Sequence, residues 1–94
     1  LKSRASASFR KLLASLPRGV REQAAAAYLL FRNDPWHSSL HFKRAQTAEP
    51  IFSVRVGRNY RAVGIQREAG SILWFWIGPH EQYETLLANR SRRQ

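Results

Sequence analysis

The sequence predicts an α+β domain: an N-terminal antiparallel helical hairpin packed on a mainly antiparallel sheet of about four strands, with a short C-terminal helix. Three observations predict it. Apolar residues recur at helical spacing from Ser6 to Phe31. After Pro35 the apolar period drops to two, the period of a strand. The later strand-like segments are joined by short glycine-bearing turns, which make consecutive strands antiparallel neighbours. Helices first and strands afterwards is the order of an α+β fold, not of alternating βαβ units.

Each element follows from local chemistry. Phe9, Leu12, Leu13 and Leu16 form one apolar stripe over Ser6–Leu16, with Ser6 or Ser8 as cap. Pro17 ends that helix and can open the next. The second helix is predicted from about Arg18 to Phe31, with Val20, Ala24, Ala27, Tyr28 and Phe31 on its buried side. The run Ala24–Ala27 has high helix propensity and lets the two helices approach closely. Asn33-Asp34-Pro35 stops it, because Pro disfavours helical geometry in the residue before it. Leu40 and Phe42, alternating with His41 and Lys43, predict a short strand, and 44–50 a loop. Ile51–Val56 is the next strand, with Phe52, Val54 and Val56 on one face and Ser53 and Arg55 on the other. Gly57-Arg58-Asn59 is a turn, Tyr60–Gln66 a strand and Glu68-Ala69-Gly70 a turn. Ser71–Ile77 is a strongly apolar strand whose Trp74 and Trp76 are read as core, stacking on bases by an exposed Trp being the other reading. Gly78-Pro79 breaks it. His80–Ala88 is a short helix, with Tyr83, Leu86 and Leu87 as its apolar stripe. The expected ordered core is about 6–88, followed by a frayed basic tail at 89–94 that carries Arg90, Arg92 and Arg93.

Ninety-four residues make one domain, and 44% hydrophobic content with three Trp is enough for a packed core. No stretch approaches the roughly 18 apolar residues of a membrane span. The N-terminus is basic and Ser-rich without an apolar h-region, so no signal peptide is expected. The chain has no Met, and it is expected to begin downstream of a natural start. Zero cysteine removes disulfide frameworks, thiol catalysis and Cys-ligated metal, and fits a cytoplasmic protein. His37 and His41 stand four apart, but in a strand-like segment after Pro35, so no metal site and no cofactor are expected.

Charge is the strongest compositional signal. Sixteen Lys and Arg, thirteen of them Arg, against six Asp and Glu give +10. Arginine grips phosphate bidentately and stays charged at any working pH. A small domain this basic calls for a polyanion, most often nucleic acid; a solubilising surface or an acidic protein partner is the other reading.

Two segments carry a family resemblance. Phe52-Ser53-Val54-Arg55-Val56-Gly57-Arg58-Asn59-Tyr60-Arg61 resembles the "Y-x-[VI]-R-[VI]-G-x-x-Y-R" segment of RelE/ParE-type toxins. Ile77-Gly78-Pro79-His80-Glu81-Gln82-Tyr83 resembles the "I-G-x-H-x-x-Y" ending of one branch. The element order and the Leu40-x-Phe42-Lys43 approach also fit, so the resemblance spans roughly residues 6 to 87. It implies the toxin of a bacterial type II toxin–antitoxin pair, held silent by a cognate antitoxin. RelE-type members cleave mRNA on the ribosome, among rRNA; ParE-type members block DNA gyrase; a catalytically inactive relative that only binds RNA or a protein is the remaining alternative. The family commonly adds an N-terminal strand, for which only Leu1–Ala5 is available.

RNA cleavage without metal needs a base near the 2′-OH, an acid near the leaving 5′-oxygen, and cations around the phosphorane. With the resemblance in hand, the candidate catalytic residues are Arg61, His80, Arg55 and Tyr83. Arg61 shares strand parity with Val63 and Ile65, so it is either a groove arginine for phosphate or an ion-pair partner of Glu81 or Glu84. Arg55 is a phosphate clamp or a solvated strand arginine. His80 is acid, base or only a cation, and many relatives carry Arg there. Tyr83 stacks or orients, or belongs to the apolar stripe; in several ribosome-dependent relatives the functional Tyr lies further along. Lys43, His41, Arg44 and Arg58 are the candidate RNA-binding residues.

Overall fold

The computed structural model describes residues 1–92 of the chain. The elements run β1 (Lys2–Ala5), α1 (Ala7–Ala14), α2 (Arg18–Asn33), a 3₁₀ turn (Ser38–Leu40), β2 (Lys43–Arg44), β3 (Ile51–Val56), β4 (Tyr60–Glu68), β5 (Ser71–Pro79) and α3 (His80–Arg92). The five strands form one mixed sheet in the order β1-β5-β4-β3-β2. β3, β4 and β5 make the expected antiparallel meander. The residues before α1 form a fifth strand, β1, parallel to β5. A four-residue strand needs a partner to persist, and β5 supplies it, flanked by bonds from Lys2 N to Gly70 O and Ser6 N to Trp74 O.

Helix ends follow the sequence. Ser6 caps α1 by accepting from Phe9 N at 3.1 Å. Pro17 precedes α2, and its carbonyl accepts from Val20 N and Arg21 N. Tyr28, expected on the buried side of α2, is 45% exposed, while Phe31 is buried. The Ala24–Ala27 run, expected to let the two helices approach closely, does not pack them tightly together. Ala24, Ala27, Phe9, Leu13, Phe31 and Trp74 instead line a cavity of about 320 Å³ between hairpin and sheet.

Three local expectations are corrected. Leu40 and Phe42 are buried and His41 is exposed, as alternation requires, yet His41 is not in a strand. It closes the 3₁₀ turn in the left-handed region, with φ of 47°. Pro35 and the Ser38–Ser39 pair favour a turn, and histidine is among the non-glycine residues found more often at positive φ. β5 runs on through Gly78 and Pro79, because Tyr60 and Arg61 still pair with them. α3 passes Ala88 and reaches Arg92, so 89–92 are helical and not a tail; Arg93 lies outside the described residues.

The sheet is covered on both faces. On one, Val54, Val56, Ala62, Ile72, Trp74 and Ile77 meet Phe31, Leu40 and Phe42 and the stripe of α1. On the other, Ile51, Val63 and Ala45 pack with Tyr83, Leu86 and Leu87. The end of α3 is fixed by Arg90, which meets Glu49 at 2.6 Å and lies 4.6 Å from the Phe75 ring centroid.

Candidate functional site

The β3–β4 turn end of the sheet, on its α3 face, collects most of the cationic candidates. Arg55 and Arg61 are direct cross-strand partners, and Arg61 pairs on its other side with Gly78. Cross-strand partners project to the same face, so this row presents two arginines and then a position without a side chain. Gly57 makes the turn between them possible at φ of 60°, and Arg58 sits exposed at its tip.

Neither arginine meets a carboxylate among the described residues. Arg55 Nε donates to Gly57 O at 3.1 Å along the strand edge, and Arg61 Nη1 donates to Tyr60 O at 3.0 Å. Each guanidinium has five N–H donors, so most of its donating capacity is uncommitted. The ion pair considered for Arg61 is not made. Glu84 pairs with His80 instead, and Glu81 is exposed. Two half-buried like charges held opposite one another oppose folding.

His80 opens α3 next to this row. Its backbone N–H donates to Asn59 O at 2.8 Å, which ties the helix start to the turn. Its Nε2 lies 3.0 Å from Glu84 Oε1, one helical turn on. Its Nδ1 is shielded from solvent and meets no hydrogen-bond partner among the described residues. Unsatisfied buried nitrogens are uncommon in native structures. Tyr83 stacks under the His80 ring at 5.9 Å between centroids. The Tyr83 side chain is buried, and its hydroxyl lies 3.2 Å from Ser53 Oγ. Tyr83 therefore supports His80 from the core side.

The remaining candidates separate. Lys43 pairs with Ser53 across β2 and β3, which puts it on the face of the arginine row, exposed. Arg44 pairs with Phe52 and so belongs to the opposite face, its Nη2 3.5 Å from Glu49 O. His41 stands in the loop before β2. Among the described residues no three His, Asp or Glu side chains gather as a metal cluster.

The sequence reading assigned neither of two neighbours to the site. Glu84 was legible, since His80 and Glu84 stand four apart on a helix. Trp76 was not. A register shift leaves Phe75 as an extra residue between the pairs Val63 with Trp76 and Gly64 with Trp74. The bulge turns Trp76 onto the α3 face while Trp74 stays in the hairpin core.

Known proteins fit this architecture. The chain is similar to the toxin in the RelB–RelE antitoxin–toxin complex of Methanococcus jannaschii, with 17% identity and a TM-score of 0.67 over 87% of this chain and 95% of that one. It is similar to a mutant toxin from Helicobacter pylori, solved bound to copper, with 16% identity and a TM-score of 0.57 over 87% and 97%. It also resembles a chain of the RelBE2 toxin–antitoxin complex of Mycobacterium tuberculosis, with 18% identity and a TM-score of 0.55 over 84% and 96%. No individually curated protein matches at a significant level. The fold is RelE-like, and the model of the ParE-like toxin domain matches residues 18–85, from α2 into α3 and across the whole arginine row. The chain belongs to the ParE-like toxin domain family.

Proposed function

We propose that this RelE/ParE-family toxin is a metal-independent endoribonuclease that cleaves mRNA on the ribosome and so inhibits translation. The observation that carries the reading is the cross-strand pair Arg55 and Arg61, without a carboxylate partner among the described residues, beside His80. In this scheme the RNA 2′-OH gives up its proton and attacks the adjacent 3′-phosphate. The P–O5′ bond breaks, the 5′-oxygen leaves on the downstream fragment and takes up a proton, and the upstream fragment ends in a 2′,3′-cyclic phosphate. Arg61 and Arg55 hold the phosphate and stabilise the charge gained in the phosphorane. His80 moves the proton, oriented by Glu84 and backed by Tyr83. The reaction's nucleophile belongs to the substrate, so the chemistry asks for no metal and no cofactor.

Lys43 extends the phosphate-binding surface on the same face and Arg58 at the tip of the turn. His41, in the loop before β2, and Arg44, on the opposite face, are outlying candidates for contact with mRNA or rRNA. Similarity to toxins solved in antitoxin complexes supports a cognate antitoxin as the silencing partner. The protein acts in the cytoplasm, where ribosomes are; no helix of the described residues is long and apolar enough to cross a membrane. The ParE-like family match supports a second reading, inhibition of DNA gyrase.

Induction in a bacterial host separates the two. RNA 5′ ends mapped within minutes show new in-frame cuts for a ribosome-dependent nuclease, and these vanish in the double variant Arg61→Ala, His80→Ala. Growth arrest with supercoiling defects and intact mRNA means gyrase action.

A further inference from the structure

We infer that Trp76 is a nucleobase-stacking residue of this site, an inference that rests on the ribonuclease reading above. It comes from three features of the sheet. The bulge at Phe75 places Trp76 on the face of Arg61, although regular alternation would have kept it with Trp74. Gly78 is the cross-strand partner of Arg61, and a Cβ built on it would lie 2.6 Å from Trp76 Cζ2 and 2.8 Å from Cη2. The benzo edge of the indole therefore lies over the bare backbone next to Arg61. Trp76 packs against the α3-side core yet is only half-buried, whereas Tyr83 is buried.

The arrangement matches how single-stranded RNA is held. Phosphates go to cations and bases to aromatic faces, and a base tolerates any aromatic partner because every base has a π-face. Arg61 takes the scissile phosphate, and Trp76, one strand over, takes an adjoining base. Gly78 is then required, since any side chain there would displace the indole. Trp76 binds and positions substrate and takes no part in proton transfer.

The test is single-turnover cleavage of mRNA on 70S ribosomes programmed with a defined A-site codon, at a series of toxin concentrations. Wild type is compared with Trp76→Phe and Trp76→Leu, each checked for thermal unfolding. Loss of one stacked base raises the half-saturating concentration about tenfold for Trp76→Leu, and less for Trp76→Phe, which keeps an aromatic face. The maximal rate changes little. The same series is run on mRNAs with an abasic nucleotide at each A-site position in turn. At the stacked position, removing the base weakens wild type and erases its advantage over Trp76→Leu. If Trp76→Leu saturates like wild type, or its defect persists on all three abasic mRNAs, stacking is refuted. Should Trp76→Leu fail to fold, Trp76→Phe carries the same comparison. Wild type that leaves every mRNA intact overturns the nuclease reading itself, and stacking with it.

Discussion

Arg55 and Arg61 face each other across β3 and β4, and among the described residues no carboxylate pairs with either. Their cost and their use separate cleanly in a substitution. Like charges directly opposite in a sheet destabilise by a few tenths of a kcal/mol, so Arg61→Ala is expected to leave stability unchanged or raise it by up to about 0.5 kcal/mol. Activity moves the other way. Removing a cation aimed at developing charge lowers the cleavage rate by about a hundredfold or more. Chemical denaturation beside single-turnover cleavage reads both. A variant less stable than wild type would make Arg61 a structural residue.

Tyr83 and Ser53 meet inside the α3-side core, with their hydroxyls 3.2 Å apart. Truncating either strands the other, at a cost of about 1–2 kcal/mol. Tyr83→Phe and Ser53→Ala are each expected to destabilise by that amount. The double variant should lose less than the sum, because no buried hydroxyl is left alone. Additive losses in a urea-denaturation cycle would mean that the contact contributes nothing.

How much of this was legible in the sequence depends on what kind of force set each feature. Phe31, Val54 and Val56 were readable because burial follows period, and period is written in the chain. Arg61 was readable because Val63 and Ile65 fix its parity. Trp76 was read as core and does pack against one, but its face was not readable, because a bulge adds one residue and reverses parity, and nothing local in Trp74-Phe75-Trp76 marks it. Its determinant is on the neighbouring strand, at Gly64, where only a bare Cα lets Ile72 and Trp74 close in. His41 shows the converse: its exposure was read correctly and its backbone was not, since alternation of burial does not require a strand. The end of α3 was read as tail because its last turns carry no apolar stripe. Arg90 holds it with an ion pair and an aromatic contact, both to residues far away in sequence.

That latch gives a stability prediction. Arg90→Ala removes the contact with Glu49 and the one with Phe75, and both groups are partly exposed. The expected loss is about 1 kcal/mol, summed from a modest ion pair and a modest cation–π contact. It should be local. Amide hydrogen exchange would quicken in the last turns of α3 and stay slow in β4. Unchanged protection there would show that the helix end is held by other contacts.

Gly64 sets the geometry that places Trp76. A Cβ at Gly64 would come within 2.7 Å of Ile72 Cγ2, 2.8 Å of Trp74 Cε3 and 3.1 Å of Leu73 O. Two of these neighbours are buried side chains and the third is backbone, so relief requires β5 to shift against β4. Gly64→Ala is expected to destabilise by about 1–3 kcal/mol, the range for overpacking a closed core. It should also disturb the site, although Gly64 faces the hairpin side with Phe52 and Trp74. Moving β5 moves Gly78 and Trp76 together relative to Arg61. Temperature-matched assays, each run well below the variant's own Tm, should show weaker RNA engagement by the folded fraction. Full activity in a destabilised Gly64→Ala would mean that the bulge serves packing alone and that the position of Trp76 does not depend on it.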